Sequence, residues 1–184
     1  VMLKNQIKKL KKQNLTMKSG VECEYFLISS DGNSIADPRD TQSKPCYDQS
    51  ALMRRYDLIK EICDCMIEMG WGPYQNDHED ANGQFEMNWD YDDCLKTADR
   101  HTFFKYMVKT IAEKHGLRAT FMPKPFESLT GNGCHAHISV WDGKKNKFLD
   151  KSDELGLSKM AYNFLGGVIK HASSLSAFFN PTIN

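Results

Sequence analysis

The sequence predicts a single α+β domain, and three observations lead there. Strand-like and helix-like segments are mixed without regular alternation, and neither an internal repeat nor a glycine-rich phosphate turn is present, which disfavours a doubly wound nucleotide fold. Three short strand-like stretches each set acids or imidazoles on one face against apolar side chains on the other. At 184 residues the chain can bury a proper core as one domain.

Composition closes off several function classes. Lys+Arg and Asp+Glu both number 24, so no net field steers the chain toward nucleic acid or an anionic membrane, and neither is an expected partner. The six cysteines are scattered without a CxxC pair, which disfavours a zinc knuckle and a disulfide scaffold alike. No signal-peptide core and no bilayer-length apolar run occurs, so the expected setting is reducing and cytoplasmic.

Taken in order, residues 2–13 carry a narrow apolar stripe, Leu3, Ile7 and Leu10, ringed by lysines that read as a solvated helix face. After Ser19-Gly20, read as a breaker, VECEYFLI is a strand: Glu22 and Glu24 share one face, Cys23 and Tyr25 the other. Residues 29–47 are loop, with a turn at Asp31-Gly32-Asn33. One long helix is then predicted from the cap Asp48 to the stop Gly70, with Leu52, Tyr56, Ile59, Cys63 and Met66 on its apolar side. Cys63 and Cys65 are helix residues there and point apart.

The stretch NDHEDANGQFEMNW follows. From Gln84 on, Gln84, Glu86 and Asn88 alternate with Phe85, Met87 and Trp89, and the turn Ala81-Asn82-Gly83 brings Glu79 back toward Glu86. A second helix, about Asp93–His115, buries Leu95, Ala98, Phe104, Met107, Val108 and Ile111, with His101 and His115 as surface or capping residues. TFMPKP (120–125) reads as a short strand stopped by prolines. After the loop Leu129–Gly133, CHAHISVW sets His135, His137, Ser139 and Trp141 on one face of a strand. A hairpin at Asp142-Gly143-Lys144 leads to a third helix, Ser158 to about Phe179, with Ala161, Phe164, Leu165, Val168, Ala172 and Leu175 as its stripe and Asn180-Pro181 as its stop.

If the three polar faces line one cavity, Glu22, Glu24, Glu79 and Glu86 meet, and their mutual repulsion requires a cation. Hard carboxylate oxygens with an imidazole suit two Mg²⁺ or Mn²⁺ ions, an arrangement that holds a polyphosphate during phosphoryl transfer. A single zinc or iron on His135, His137 and one acid is the competing reading, and it leaves three acids unexplained.

These residues carry a resemblance. VECEYF, HEDANGQFE, ATFMPKP and GNGCHAHIS, in that order, are similar to the motifs of glutamine synthetase catalytic domains, and the likeness covers essentially the whole chain. The wording of SKPCYD and HEDANGQFE resembles the γ-glutamylmethylamide synthetase branch. The resemblance implies a curved antiparallel sheet whose polar inner face is backed by long amphipathic helices. It implies that Glu24, Glu79 and Glu86 hold one ion, Glu22 and His135 the other, and that Glu79 is catalytic. Thr130 and Gly131, with His135, then bind glutamate, while His137 and Ser139 contact ATP. The implied reaction ligates ammonia or methylamine to glutamate through a γ-glutamyl phosphate.

The sequence also departs from the family pattern. Thr130 and Asn132 stand where asparagine and serine are more usual, and Cys134 stands where methionine is. The family's N-terminal β domain and the part beyond Pro181 are not in these residues, so the expectation is a partial catalytic domain, with little or no ligase activity alone and a homo-oligomeric ring only in the full-length protein. A truncated relative that merely binds metal or nucleotide is the non-enzymatic alternative.

Overall fold

The computed structural model of the chain describes residues 1–180. It falls into two compact units, one of residues 20–92 and 96–137, the other of residues 1–19, 93–95 and the described residues from 138 on.

The larger unit is built on an antiparallel sheet. β3 (Gln84–Trp89) pairs with β2 (Pro73–His78) on one side and β1 (Thr16–Ile28) on the other; the two-residue β4 (Asp92–Asp93) also pairs with β1, β5 (Arg118–Thr120) pairs with the end of β1, and β6 (Cys134–Asp142), whose first four residues belong here, is the next strand in the order. Inward side chains of β1 and β3, Cys23, Tyr25, Leu27, Phe85, Met87 and Trp89, pack with Leu58, Ile59, Ile62 and Met66 of α3 (Tyr56–Glu68) and with Phe104, Met107, Val108 and Ile111 of α4 (Cys94–Lys114). Each such side chain taken from water contributes about 1.5–3 kcal/mol. Phe104, fully buried, lies 4.9 Å from Trp89 and 6.2 Å from Tyr25, ring centroid to ring centroid.

The α+β fold class and the antiparallel sheet stand as the sequence predicts, and several boundaries differ. Ser19-Gly20 is no breaker: β1 starts at Thr16 and runs through it, and a Cβ on Gly20 would stand 3.3 Å from the Tyr91 Cβ. The helix predicted over 48–70 is two, α2 (Gln49–Met53), capped by Asp48, and α3. Between them Arg54 ion-pairs with the buried Asp37, and Arg55 donates to the Ala36 carbonyl. The interruption turns the buried stripe to Leu58, Ile59, Ile62 and Met66 and leaves Tyr56 exposed. On α4 the expected Ala98 is exposed, while Thr97 and Arg100 are buried; the Arg100 guanidinium lies over Trp71 and donates to the Gly70 carbonyl. The strand expected at 120–125 lies earlier, at β5, since the two prolines cannot donate to a ladder.

In the smaller unit, α1 (Met2–Lys11) keeps its stripe: Leu3, Ile7 and Leu10 are half-buried and its lysines exposed. The turn at Gly143, φ +55°, joins β6 to β7 (Lys145–Asn146) with Trp141 opposite Asn146. The third predicted helix is again two, α5 (Lys159–Lys170), capped by Ser158, and α6 (Ala172–Phe179), separated at His171, whose φ and ψ of −106° and 11° are not helical. Gly166-Gly167 weaken the turn before that break. Of the expected stripe only Ala161 is buried, and Leu165 and Val168 stay exposed because nothing among the described residues covers them. The expected stop at Pro181 lies outside the described residues. No helix among the described residues is long and apolar enough to cross a membrane.

Candidate active site

The strand ladders set acids in a row. Glu24 of β1 is opposite Glu86 of β3, and Glu86 is opposite Asp77 of β2, so three carboxylates stand side by side on the polar face. Glu79, just past β2, joins them: oxygen atoms of Asp77, Glu79 and Glu86 lie within 4.8 Å of one another. All six residues of β3 are buried, the polar Gln84, Glu86 and Asn88 included.

The turn after β2 is held from several sides. The Glu79 N–H donates to the Gln84 carbonyl (2.9 Å) and the Ala81 N–H to the Gln84 side-chain oxygen (3.1 Å). Gly83 sits at φ +76°, where a Cβ would lie 2.8 Å from the Ile35 Cβ, so only glycine fits. Beneath the turn, the buried Asp40 carboxylate accepts from Asn82 Nδ2 (2.9 Å) and the Gly83 N–H (2.6 Å), and it pairs with His78 Nε2 (2.6 Å). Burial alone would raise the Asp40 carboxyl, but these hydrogen bonds hold it below the usual carboxylate range.

Electrostatics mark this row as under tension. Burial, then the neighbouring Glu86, Glu24, Asp77 and Asp80, push the Glu79 carboxyl up to about 7. Burial also raises Glu86, with Glu22, Glu24 and Asp77 adding repulsion against the relief from an Asn88 Nδ2 hydrogen bond (2.9 Å). The buried Asn88 Oδ1 has no hydrogen-bond partner. Carboxylates that repel one another are an all-oxygen donor set that fits a hard divalent cation.

A second group forms along β1 and β6. Glu22 lies between two imidazoles, 2.7 Å from His137 Nε2 and 3.2 Å from His135 Nδ1. Glu24 accepts from Gln84 Nε2 (2.9 Å) and from the Gly133 N–H (3.0 Å), and Gln84 Nε2 also reaches the Gly131 carbonyl and Asn132 Oδ1 (both 3.0 Å). A Cβ on Gly133 would stand 2.9 Å from Glu24 Oε1 and 3.1 Å from His135 Nε2; one on Gly131 would meet the Pro123 carbonyl at 2.4 Å. Beside Glu22 and His137 opens a cleft of about 270 Å³ lined by Tyr74, Trp89 and Tyr91.

Of the residues singled out in the sequence, Glu22, Glu24, Glu79, Glu86, His135, His137 and Gly131 thus share the larger unit, and Thr130 is exposed on the loop beside Gly131. Ser139 belongs to the smaller unit, where its hydroxyl accepts from the Trp141 indole N–H (2.8 Å). Asp77, Asp40 and His78 were not foreseen. Asp77 carries the signal that flagged Glu22 and Glu24, an acid two residues from another; the pairing of Asp40 with His78, 38 residues apart, carries none.

A family model described as glutamine synthetase, catalytic domain, matches residues 1–184. The chain belongs to the glutamine synthetase family. Among curated relatives, a glutamine synthetase of Rhizobium leguminosarum bv. phaseoli is 66% identical over all of this chain and 43% of its own length. A glutamate–methylamine ligase of Methyloversatilis universalis is 45% identical over all of this chain and 42% of its own. Two solved structures of GmaS, one without ligand and one an ADP complex, each superpose with a TM-score of 0.95 at 64% identity, over 98% of this chain and 43% and 42% of theirs. A glutamine synthetase of Plasmodium falciparum superposes with a TM-score of 0.82 at 27% identity, over 99% of this chain and 42% of its own. The chain thus spans less than half the length of the glutamine synthetase family relatives it matches.

Proposed function

We propose that these residues are part of the catalytic domain of an ATP-dependent ligase that joins ammonia or methylamine to the γ-carboxylate of glutamate. The observation that carries this reading is the pair of adjoining clusters, Asp77, Glu79, Glu86 and Glu24 on one side and Glu22 with His135 and His137 on the other, on strands of one sheet. We assign Glu24, Glu79 and Glu86 to one Mg²⁺ or Mn²⁺ ion, with Asp77 adjoining, and Glu22 with His135 to a second. Bound ions supply the positive charge that lets the acids, the glutamate carboxylate and the ATP phosphates lie together.

The remaining steps belong to the chain's own residues. Thr130, Gly131 and His135 orient glutamate, with the loop held by Gln84, while His137 meets ATP. The glutamate carboxylate takes the γ-phosphoryl group as ADP leaves, and the amine then displaces phosphate from the acyl phosphate. Ammonium and methylammonium must each lose a proton before attacking, and Glu79 is the acid we assign to accept it. The ADP complex of the 64% identical GmaS supports the nucleotide assignment. The name of the 45% identical relative supports methylamine as acceptor, and the 66% identical glutamine synthetase supports ammonia.

The activity is assigned to the full-length protein, assembled as a homo-oligomeric ring, and little or none to the present residues alone. Formation of γ-glutamyl amide from glutamate, ATP and Mg²⁺, with ammonia and methylamine in parallel, tests this on both forms. Turnover by the full-length protein that Glu86→Ala abolishes is the expected result. Full activity in that variant, or one equivalent of zinc that co-purifies and depends on His137, would replace this reading with the single-ion one.

A further inference from the structure

On the face of β1 opposite Glu22 and Glu24, Cys23 turns toward α4. There His101 Nε2 lies 3.4 Å from Cys23 Sγ and 3.7 Å from Cys134 Sγ, and the three ligand atoms fall within 4.8 Å of one another. We infer that Cys23, His101 and Cys134 form a binding site for one thiophilic divalent ion of the zinc class, distinct from the acid clusters.

Spacing is the first support. Zinc holds sulfur at about 2.3 Å and imidazole nitrogen at about 2.0–2.1 Å, so two such ligands at a tetrahedral angle stand roughly 3.6 Å apart. The sulfur–nitrogen distances of 3.4 and 3.7 Å bracket that value, so an ion enters with little movement of its ligands. Chemistry is the second. Two sulfurs and an imidazole select a soft or borderline ion, whereas the carboxylates select a hard one, so the two faces of β1 sort metals by ligand type.

Access is the third support: Cys23 is buried and Cys134 exposed, so an ion can reach the group from solvent at Cys134, and water can complete the tetrahedron. Each thiol gives its proton to solvent on binding, and His101 binds through Nε2 with its proton on Nδ1. The three ligands come from β1, α4 and the start of β6, so the site exists only in the folded chain and its occupation ties α4 to both strands that carry Glu22, Glu24 and His135.

Cadmium is the probe, titrated into the reduced full-length protein in excess Mg²⁺, with the ultraviolet thiolate-to-cadmium charge-transfer band and calorimetry as readouts. We expect one equivalent bound with that band, lost in Cys134→Ser, weakened roughly tenfold or more in His101→Gln, and kept in Glu86→Gln. If Cys134→Ser does not fold, protection of Cys134 from iodoacetamide by Cd²⁺ in the parent protein takes its place, and unprotected alkylation overturns the site. Binding without the thiolate band, or with unchanged affinity in a folded Cys134→Ser, also overturns it. So does a Cys23–Cys134 disulfide, seen as the loss of two hydrogens in the linked peptides, if it forms under reducing buffer and excludes cadmium.

Discussion

Glu79 takes its character from what surrounds it. An acid whose folded pKa lies above its unfolded one favours folding while protonated. Its contribution is therefore fully present below the ordinary 4.5 and is lost as pH rises through about 7. Metal-free protein is expected to melt higher near pH ~5 than near pH ~8, a difference that Glu79→Gln reduces and Mg²⁺ removes, read by thermal denaturation. Asp40 has the opposite sign: its lowered pKa stabilises the fold above the ordinary 3.8, and that contribution is lost only as pH falls further, outside this window. Tyr25 offers a separate test. Its ring packs among Phe85, Phe104 and Phe121, but its buried hydroxyl has no hydrogen-bond partner, so Tyr25→Phe is expected to raise stability by on the order of 1 kcal/mol in urea unfolding.

At the scale of elements, short connections rather than strands decide how well the acids are aimed. Asp40 fastens the turn that carries Glu79 through Asn82, Gly83 and His78, so Asp40→Asn is expected to weaken Mn²⁺ binding several-fold in calorimetry while leaving a folded protein. Gly133→Ala is expected to do the same from the other side, because the added methyl displaces Glu24 and His135. These connections were also the least legible part of the sequence. Period-2 alternation exposed Glu22, Glu24 and Glu86 because β1 and β3 each have one apolar face. β2 has none, begins at a proline and shifts register between Pro73 and Gln75, so Asp77 went unread. The break at Arg54 and Arg55 was equally hidden: arginine is a good helix former, and what stops the helix is Asp37, a residue distant in sequence.

Across the whole molecule, the core and the candidate site are two sides of the same strands. Phe104→Ala removes the ring on which Tyr25 and Trp89 converge and is expected to cost about 3–5 kcal/mol. Metal affinity should fall with it, since the strands that carry the acids lose their backing; chemical denaturation and calorimetry on one preparation check both. Fold class was legible because it depends on this two-sidedness, which alternation writes directly into sequence. Where α4 turns its histidine was not: His101 read as a surface residue, and its proximity to Cys23 and Cys134 depends on packing between segments far apart in the chain.

The row Asp77, Glu86, Glu24 lies across neighbouring antiparallel strands, so the interval between its Cα atoms is set by the ladder, about 4.5–5.5 Å, whatever side chains are chosen. Within that ladder, exchanging glutamate for aspartate resizes the space among these oxygens in whole-methylene increments. Preference among ions of different radius would then move in jumps, with few intermediate settings open to a drifting lineage.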